Sequence, residues 1–325
     1  MPDILISENI NGVAIDALKT KFEVKRLPDV WKDPEALAAQ IKDFRALIVR
    51  NQTQVTRELL AAASRLVVVG RAGVGLDNID VEAASKAGVI VTYAPEQNAI
   101  SVAEFAVGLM LSLARIIPQA NFETKGGQWN RQSLVGRELY GKTLGIIGAG
   151  KIGYLTAKRA QAFGMKIVAY DPFINPDSVL LRELNAELVE LDDMLALADV
   201  VSCHIPVTRQ TRGLLDGNRL RRMKSTAFLI NTARGEILYE KDLVEALKSG
   251  VIAGAALDVR SCEPPAAGEL EELPNVILTP HIAAFTIEAQ CRVVRAVCED
   301  VARVLDGKRP HNAVHSPIAW EDPKS

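Results

Sequence analysis

The chain has 325 residues, 48% hydrophobic and 24% charged, with 38 Lys+Arg set against 40 Asp+Glu for a net charge of −2. This excludes disordered and fibrous classes, fits about two domains, and removes the electrostatic reason to expect nucleic acid or an acidic membrane as a partner. Cys203, Cys262, Cys291 and Cys298 form no CxxC pair, no metal cluster is expected, and Met1-Pro2-Asp3 opens no basic signal region, so a reducing cytoplasm is the expected compartment.

Short apolar runs alternate with helical patterns. Ile4–Ile6, Ala46–Val49, Leu66–Val69 and Val89–Val91 read as buried parallel strands, with helical spacing at Pro34–Phe44 and Val81–Ala87. A helix is predicted from Ser101 to about Ile117. Its most apolar part, Val102–Ala114, contains Glu104 and Ser112 and is shorter than the ~20 residues that span a bilayer. The loop Gly126–Arg131 follows. A second βα series then opens at Leu144–Ile147 and continues with strands at Lys166–Ala169, Val200–Ser202, Ala227–Ile230, Ala253–Leu257 and Val276–Leu278. A last helix, Thr286–Leu305, precedes a polar, Pro-rich tail. Such βα alternation predicts an α/β protein with two doubly wound parallel sheets.

Gly148-Ala149-Gly150-Lys151-Ile152-Gly153 matches GxGxxG between a strand and the helical stretch Tyr154–Phe163. Glycines there permit a tight turn and close approach to a pyrophosphate, which the helix N-terminus attracts. Asp171 ends the next strand, near the roughly 20-residue spacing at which a carboxylate reaches the ribose hydroxyls. It would repel a 2′-phosphate, which favours NAD over NADP. The competing reading is a glycine turn that binds nothing and an ordinary strand-end acid.

With these come Arg71-Ala72-Gly73-Val74-Gly75, His204-Ile205-Pro206-Val207-Thr208, Asn231-Thr232-Ala233-Arg234-Gly235, Asp258 through Glu263-Pro264-Pro265, and Thr279-Pro280-His281-Ile282-Ala283. Taken in order over nearly the whole chain, they resemble the D-2-hydroxyacid dehydrogenase family, in particular its phosphoglycerate dehydrogenase branch. The resemblance implies a Rossmann nucleotide domain inserted into a flavodoxin-like substrate domain: residues 98–286 for NAD, and 1–97 plus 287–325 for substrate. It implies a homodimer paired through the long helix near Ser101 and the Trp129 loop.

The resemblance also implies a catalytic set of Arg234, Glu263 and His281. An imidazole titrates near neutrality and can exchange the hydroxyl proton. A carboxylate can orient it and stabilise its cation. A guanidinium fork can grip the substrate carboxylate. Each has a plainer reading: His281 as a loop or core residue, Glu263 as one solvated acid among Glu269, Glu271 and Glu272, and Arg234 paired with Glu236 or Asp242. The cofactor set implied is Gly148, Gly150, Lys151, Ile152, Gly153, Asp171, His204, Ile205, Pro206, Thr232, Ala233, Arg234, Asp258, His281 and Ala283, with Asp258 accepting from the nicotinamide carboxamide.

Substrate contacts implied are Arg234 for the carboxylate, and Arg50, Arg71, Ala72 and Gly73 for a far anionic group, the loop after Arg71 offering backbone N–H donors. Arg131 joins this set or, like the other arginines, makes a surface ion pair. The expected substrate is a small anionic 2-hydroxy or 2-keto acid, such as 3-phosphoglycerate. Hydroxypyruvate or glyoxylate reduction and sulfolactate oxidation fit the same residues. An NAD-sensing corepressor is the alternative of another class. Three departures from the branch are Val74, where a hydroxyl residue often meets cofactor; Arg260, in place of an aromatic; and an end at Ser325 that leaves no regulatory domain expected.

Overall fold

The computed structural model describes residues 2–175 and 178–314. The chain divides into two compact units, residues 1–98 with 286–325, and residues 99–285.

The first unit holds five parallel strands: β1 (Ile4–Ile6), β2 (Val24–Arg26), β3 (Ala46–Val49), β4 (Val68–Arg71) and β5 (Ile90–Thr92), in the order β2-β1-β3-β4-β5. β1, β3 and β5 are buried along their length, as expected of a parallel sheet covered on both faces. The helix Ile287–Leu305 returns from the far end of the sequence to cover one face. Thr286 caps it by accepting from the Ala289 N–H. Val293, Val294, Val297, Val301 and Val304 are buried in the sheet's core. β-branched valines disfavour helix by some tenths of a kcal/mol each, but burying each contributes about 1.5 kcal/mol or more, so packing decides. Gly70 permits this approach: a Cβ there would lie 2.6 Å from Val301 and 2.7 Å from Val297.

The second unit holds seven parallel strands: β6 (Thr143–Ile147), β7 (Lys166–Tyr170), β8 (Glu187–Leu188), β9 (Val200–Cys203), β10 (Phe228–Asn231), β11 (Gly254–Leu257) and β12 (Val276–Leu278). Their order, β12-β11-β10-β9-β6-β7-β8, reverses direction between β6 and β9. Ligands of open α/β sheets bind outside the carboxyl ends of the strands at such a switch point.

Some expectations shift. The strand expected at Leu66–Val69 runs from Val68 to Arg71, because pairing of Ala46 with Val68 sets its register and carries Arg71 into the sheet. β2 and β8 carry no apolar run and were missed; both are edge strands. The helix expected to reach Ile117 ends at Ala114, Ile116 takes a left-handed φ of 55°, and a second helix runs Ile117–Lys125. Pro118 cannot donate back to Ala114, whose carbonyl instead accepts from the Arg137 N–H at 2.7 Å. The two helices meet at 63°, and no single helix among the described residues is long and apolar enough to cross a membrane.

Candidate active site

The glycine turn links β6 to the helix Lys151–Gln161. Gly148 has φ 93° and lies against the end of β9, where a Cβ would stand 2.6 Å from Ile205 Cγ2 and 2.9 Å from the His204 carbonyl. A Cβ on Gly153 would run into the Gly148 carbonyl, so the helix can pack this closely only with glycine there. A Cβ on Gly150 would meet nothing within 4 Å. Gly150 caps the helix without a side-chain acceptor, leaving the first-turn N–H groups and their partial positive charge for an anion. Asp171 Oδ2 accepts from the Ala149 N–H at 2.9 Å, and Oδ1 from the Phe173 N–H at 3.0 Å. The carboxylate is thus tied to the glycine turn, with lone pairs left for hydroxyl donors.

β9 ends at His204. Its Nε2 lies 2.9 Å from Ser202 Oγ, while Nδ1 is buried without a hydrogen-bond partner. Burial pulls the imidazole down to about 3, so it stays neutral. Thr232 Oγ1, just past β10, is likewise buried without a partner. A buried polar atom left unmade is costly. Two of them beside an open glycine turn fit a dinucleotide with its own donors and acceptors.

After β10 the chain turns sharply. Asn231, fully buried, accepts from the Ala233 N–H at 3.0 Å and donates Nδ2 to the Arg234 carbonyl at 2.8 Å. This side-chain-made turn presents Arg234. Nearby, Glu236 faces Arg212 at 3.8 Å, and Asp242 accepts from the Gly217 N–H. Arg234 Nη1 donates to the Ala233 carbonyl at 2.7 Å. A Cβ on Gly235 would run into the backbone of Arg260 and Ser261, so the Arg234 turn abuts the segment leading to Glu263.

Asp258, 1% exposed, directly follows β11. Its Oδ1 accepts from Thr279 Oγ1 at 2.6 Å and the Ile282 N–H at 2.9 Å, and its Oδ2 from the Ala283 N–H at 2.9 Å. The His281 N–H donates to the Asp258 carbonyl at 2.8 Å. Asp258 therefore holds the turn carrying His281, which takes a left-handed φ of 55°. Sequence reasoning missed this anchoring, and that of Asn231; an Asn two residues before Ala233 was the available signal. Glu263 Oε2 lies 2.7 Å from His281 Nδ1, and Glu263 Oε1 accepts from the Arg260 N–H at 3.0 Å. With Nδ1–H donated to the carboxylate, the neutral ring keeps its Nε2 lone pair for a proton.

Arg50 and Arg71 lie in the first unit, at the ends of the adjacent strands β3 and β4. The Arg50 loop is clamped by the buried carboxylate of Glu8, which accepts from the N–H groups of Arg50, Asn51, Gln52 and Thr53 at 2.7 to 3.3 Å. Burial lowers the pKa of Arg50, with Glu8 opposing; a guanidinium stays charged regardless. The expectation that Ala72 and Gly73 offer backbone donors needs correction. The Ala72 N–H donates to Val49 and the Gly73 N–H to Arg71, both carbonyls of the chain itself. Gly73 instead leaves room for the Arg71 guanidinium, which a Cβ would strike. Arg131 is exposed.

The family model of the D-isomer specific 2-hydroxyacid dehydrogenase NAD binding domain matches residues 107–283. The chain is 45% identical over 318 residues to a D-3-phosphoglycerate dehydrogenase of Methanocaldococcus jannaschii, covering 98% of this chain and 60% of that one. It thus spans about three-fifths of the length of the curated relatives it matches. A crystallised protein of Thermus thermophilus superposes with a TM-score of 0.90 at 34% identity, over 96% of this chain and all of that one. A glyoxylate reductase from Paecilomyes thermophila does so with 0.86 at 31%, over 97% and 99%. The NAD binding domain match falls within the second unit, and the chain belongs to the D-isomer specific 2-hydroxyacid dehydrogenase family.

Proposed function

We propose that the chain catalyses NAD-dependent interconversion of a small D-2-hydroxy acid and its 2-keto acid, with 3-phosphoglycerate and 3-phosphohydroxypyruvate as the preferred pair. The observation that carries this is the 2.7 Å contact of Glu263 with His281 Nδ1, on a segment that abuts the Arg234 turn.

Bound nicotinamide supplies or accepts the hydride. Arg234 grips the substrate carboxylate with two parallel N–H donors and draws electron density from the neighbouring carbonyl. In reduction, protonated His281 gives its Nε2 proton to the carbonyl oxygen as C2 is reduced. In oxidation, Nε2 takes the hydroxyl proton. Glu263 orients the ring through Nδ1 and stabilises the imidazolium. Gly150, Lys151 and Ile152 would hold the pyrophosphate, Asp171 the ribose, and His204, Thr232 and Ala233 the nicotinamide end. Asp258 has a lone pair left for the carboxamide.

The phosphorylated substrate is favoured by the M. jannaschii relative's name and by Arg50 and Arg71, whose role is to hold the far anion. Hydroxypyruvate or glyoxylate reduction is the second reading, favoured by the fold shared with the Paecilomyes enzyme. We further propose a cytoplasmic homodimer with no nucleic-acid or membrane partner. Exposed Phe122, Trp129, Val135 and Tyr140, each at least 75% accessible, support a second copy covering that segment.

NADH consumption over 3-phosphohydroxypyruvate, hydroxypyruvate, glyoxylate and 3-sulfopyruvate, with NADPH in parallel, tests the assignment. The highest kcat/KM is expected for NADH with 3-phosphohydroxypyruvate. A preference for glyoxylate would favour the second reading. NADH binding without turnover of any of the four would replace both by a binding protein.

A further inference from the structure

We propose that Arg260 is a positioning residue for the Glu263–His281 pair, fastening the Glu263 segment to the scaffold through Glu240 and Glu271. The proposal rests on the dehydrogenase reading above for its kinetic consequences, but not for its geometry.

The Arg260 side chain is only 10% exposed and bridges two carboxylates. Its Nε lies 3.2 Å from Glu240 Oε1 and its Nη2 2.9 Å from Oε2, a bidentate fork. Its Nη1 lies 2.5 Å from Glu271 Oε1. Glu240 opens the helix Glu240–Lys248, and Glu271 sits in the turn Glu269–Glu272, so the guanidinium ties two separate elements together. Glu240 Oε1 also accepts from the Ser261 N–H at 2.8 Å and Oγ at 2.9 Å. Glu271 Oε2 accepts from the Gly268 N–H at 3.0 Å. Burial works to raise the pKa of Glu240, but the hydrogen bonds of Arg260 and Ser261 outweigh it and hold the carboxyl below its usual range.

The other side of the segment faces the chemistry. The Arg260 N–H donates to Glu263 Oε1, while Glu263 Oε2 meets His281. The same backbone stretch lies against Gly235, next to Arg234. One fork thus braces the segment that orients the imidazole and abuts the turn bearing the guanidinium. Removing it would leave the Glu240 and Glu271 carboxylates without their shared counter-ion and unfasten the segment from both elements. A misplacement on the order of 1 Å in such a site can cost ~10²-fold in rate.

The test compares Arg260→Met, Arg260→Lys and Glu271→Gln in the full chain, each alone and combined with Glu263→Gln, by kcat, KM, NADH affinity and amide exchange over residues 260–263. Arg260→Met is expected to lower kcat ~10-fold or more, with NADH affinity within about twofold and faster exchange in the segment. Arg260→Lys should recover part of the rate. In the Glu263→Gln background Arg260→Met should cost little further, because it acts through Glu263. An equal loss in both backgrounds, or unchanged kcat and exchange, would overturn the proposal. Should Arg260→Met not fold, Glu271→Gln and Arg260→Lys run the same cycle. An inactive wild type whose exchange still responds to Arg260 would refute the dehydrogenase reading and leave the brace standing.

Discussion

Glu263 and His281 reach each other from different turns of the nucleotide-binding unit, with the carboxylate Oε2 2.7 Å from the imidazole Nδ1. The turn bearing the ring is itself pinned by Asp258, whose two oxygens take three donors from Thr279, Ile282 and Ala283. Orientation of the ring is therefore set twice, once at its nitrogen and once at its backbone.

Arg234→Lys keeps the charge and loses the planar fork. It should raise KM and lower kcat together, because the carboxylate grip serves both the bound substrate and the transition state. Steady-state kinetics with the best keto acid checks this; unchanged constants would move the carboxylate site elsewhere.

Asp171→Ala removes the acceptor at the ribose end and the bond that Ala149 donates to it. NAD should bind more weakly, and its advantage over NADP should shrink, since the repulsion of a 2′-phosphate goes with the carboxylate. Fluorescence titration with both reduced cofactors decides; an unaltered ratio contradicts the ribose role.

Arg50→Ala and Arg71→Ala should raise KM for 3-phosphohydroxypyruvate several-fold more than KM for glyoxylate, which has no far anion. Equal effects on the two substrates would leave these arginines with a structural task only.

His204 gives a pH signature of stability. Its folded value, pulled by burial to about 3, lies below the ordinary 6.5. The unfolded chain therefore binds a proton that the folded chain refuses. The stability this neutral ring contributes is complete above about pH 6.5 and is lost as pH falls toward 3, by up to ~1.4 kcal/mol per unit. His204→Gln should lose less stability than the wild type between pH 7 and pH 5 in urea unfolding. Parallel losses would show that His204 titrates normally.

How much of this was legible in the sequence follows from what each residue depends on. β1 and β3 have the bounds that their apolar runs suggest, because burial on both faces leaves a local mark; β12 has them too, although it is a half-buried edge strand. β2, with the sequence Val-Lys-Arg, leaves none. Gly148 and Gly153 were readable because a tight turn and close helix packing demand glycine at fixed spacing. Glu240 and Glu271 were not, since nothing local distinguishes them from other surface acids until Arg260 is seen between them. Glu8 is similar: its four backbone donors come from a loop more than forty residues away in sequence. The Ala72 and Gly73 N–H groups were misjudged because a loop after a strand says nothing of which carbonyls its own donors meet.

The most direct test follows the reduction of 3-phosphohydroxypyruvate by NADH, in wild type and in His281→Ala, with the configuration of the product determined. The wild type should form D-3-phosphoglycerate, and loss of the imidazole should lower kcat by at least ~10²-fold while NADH still binds. An L-configured product, or a His281→Ala variant that turns over at nearly the wild-type rate, would contradict the assignment of His281 as the proton-transferring group.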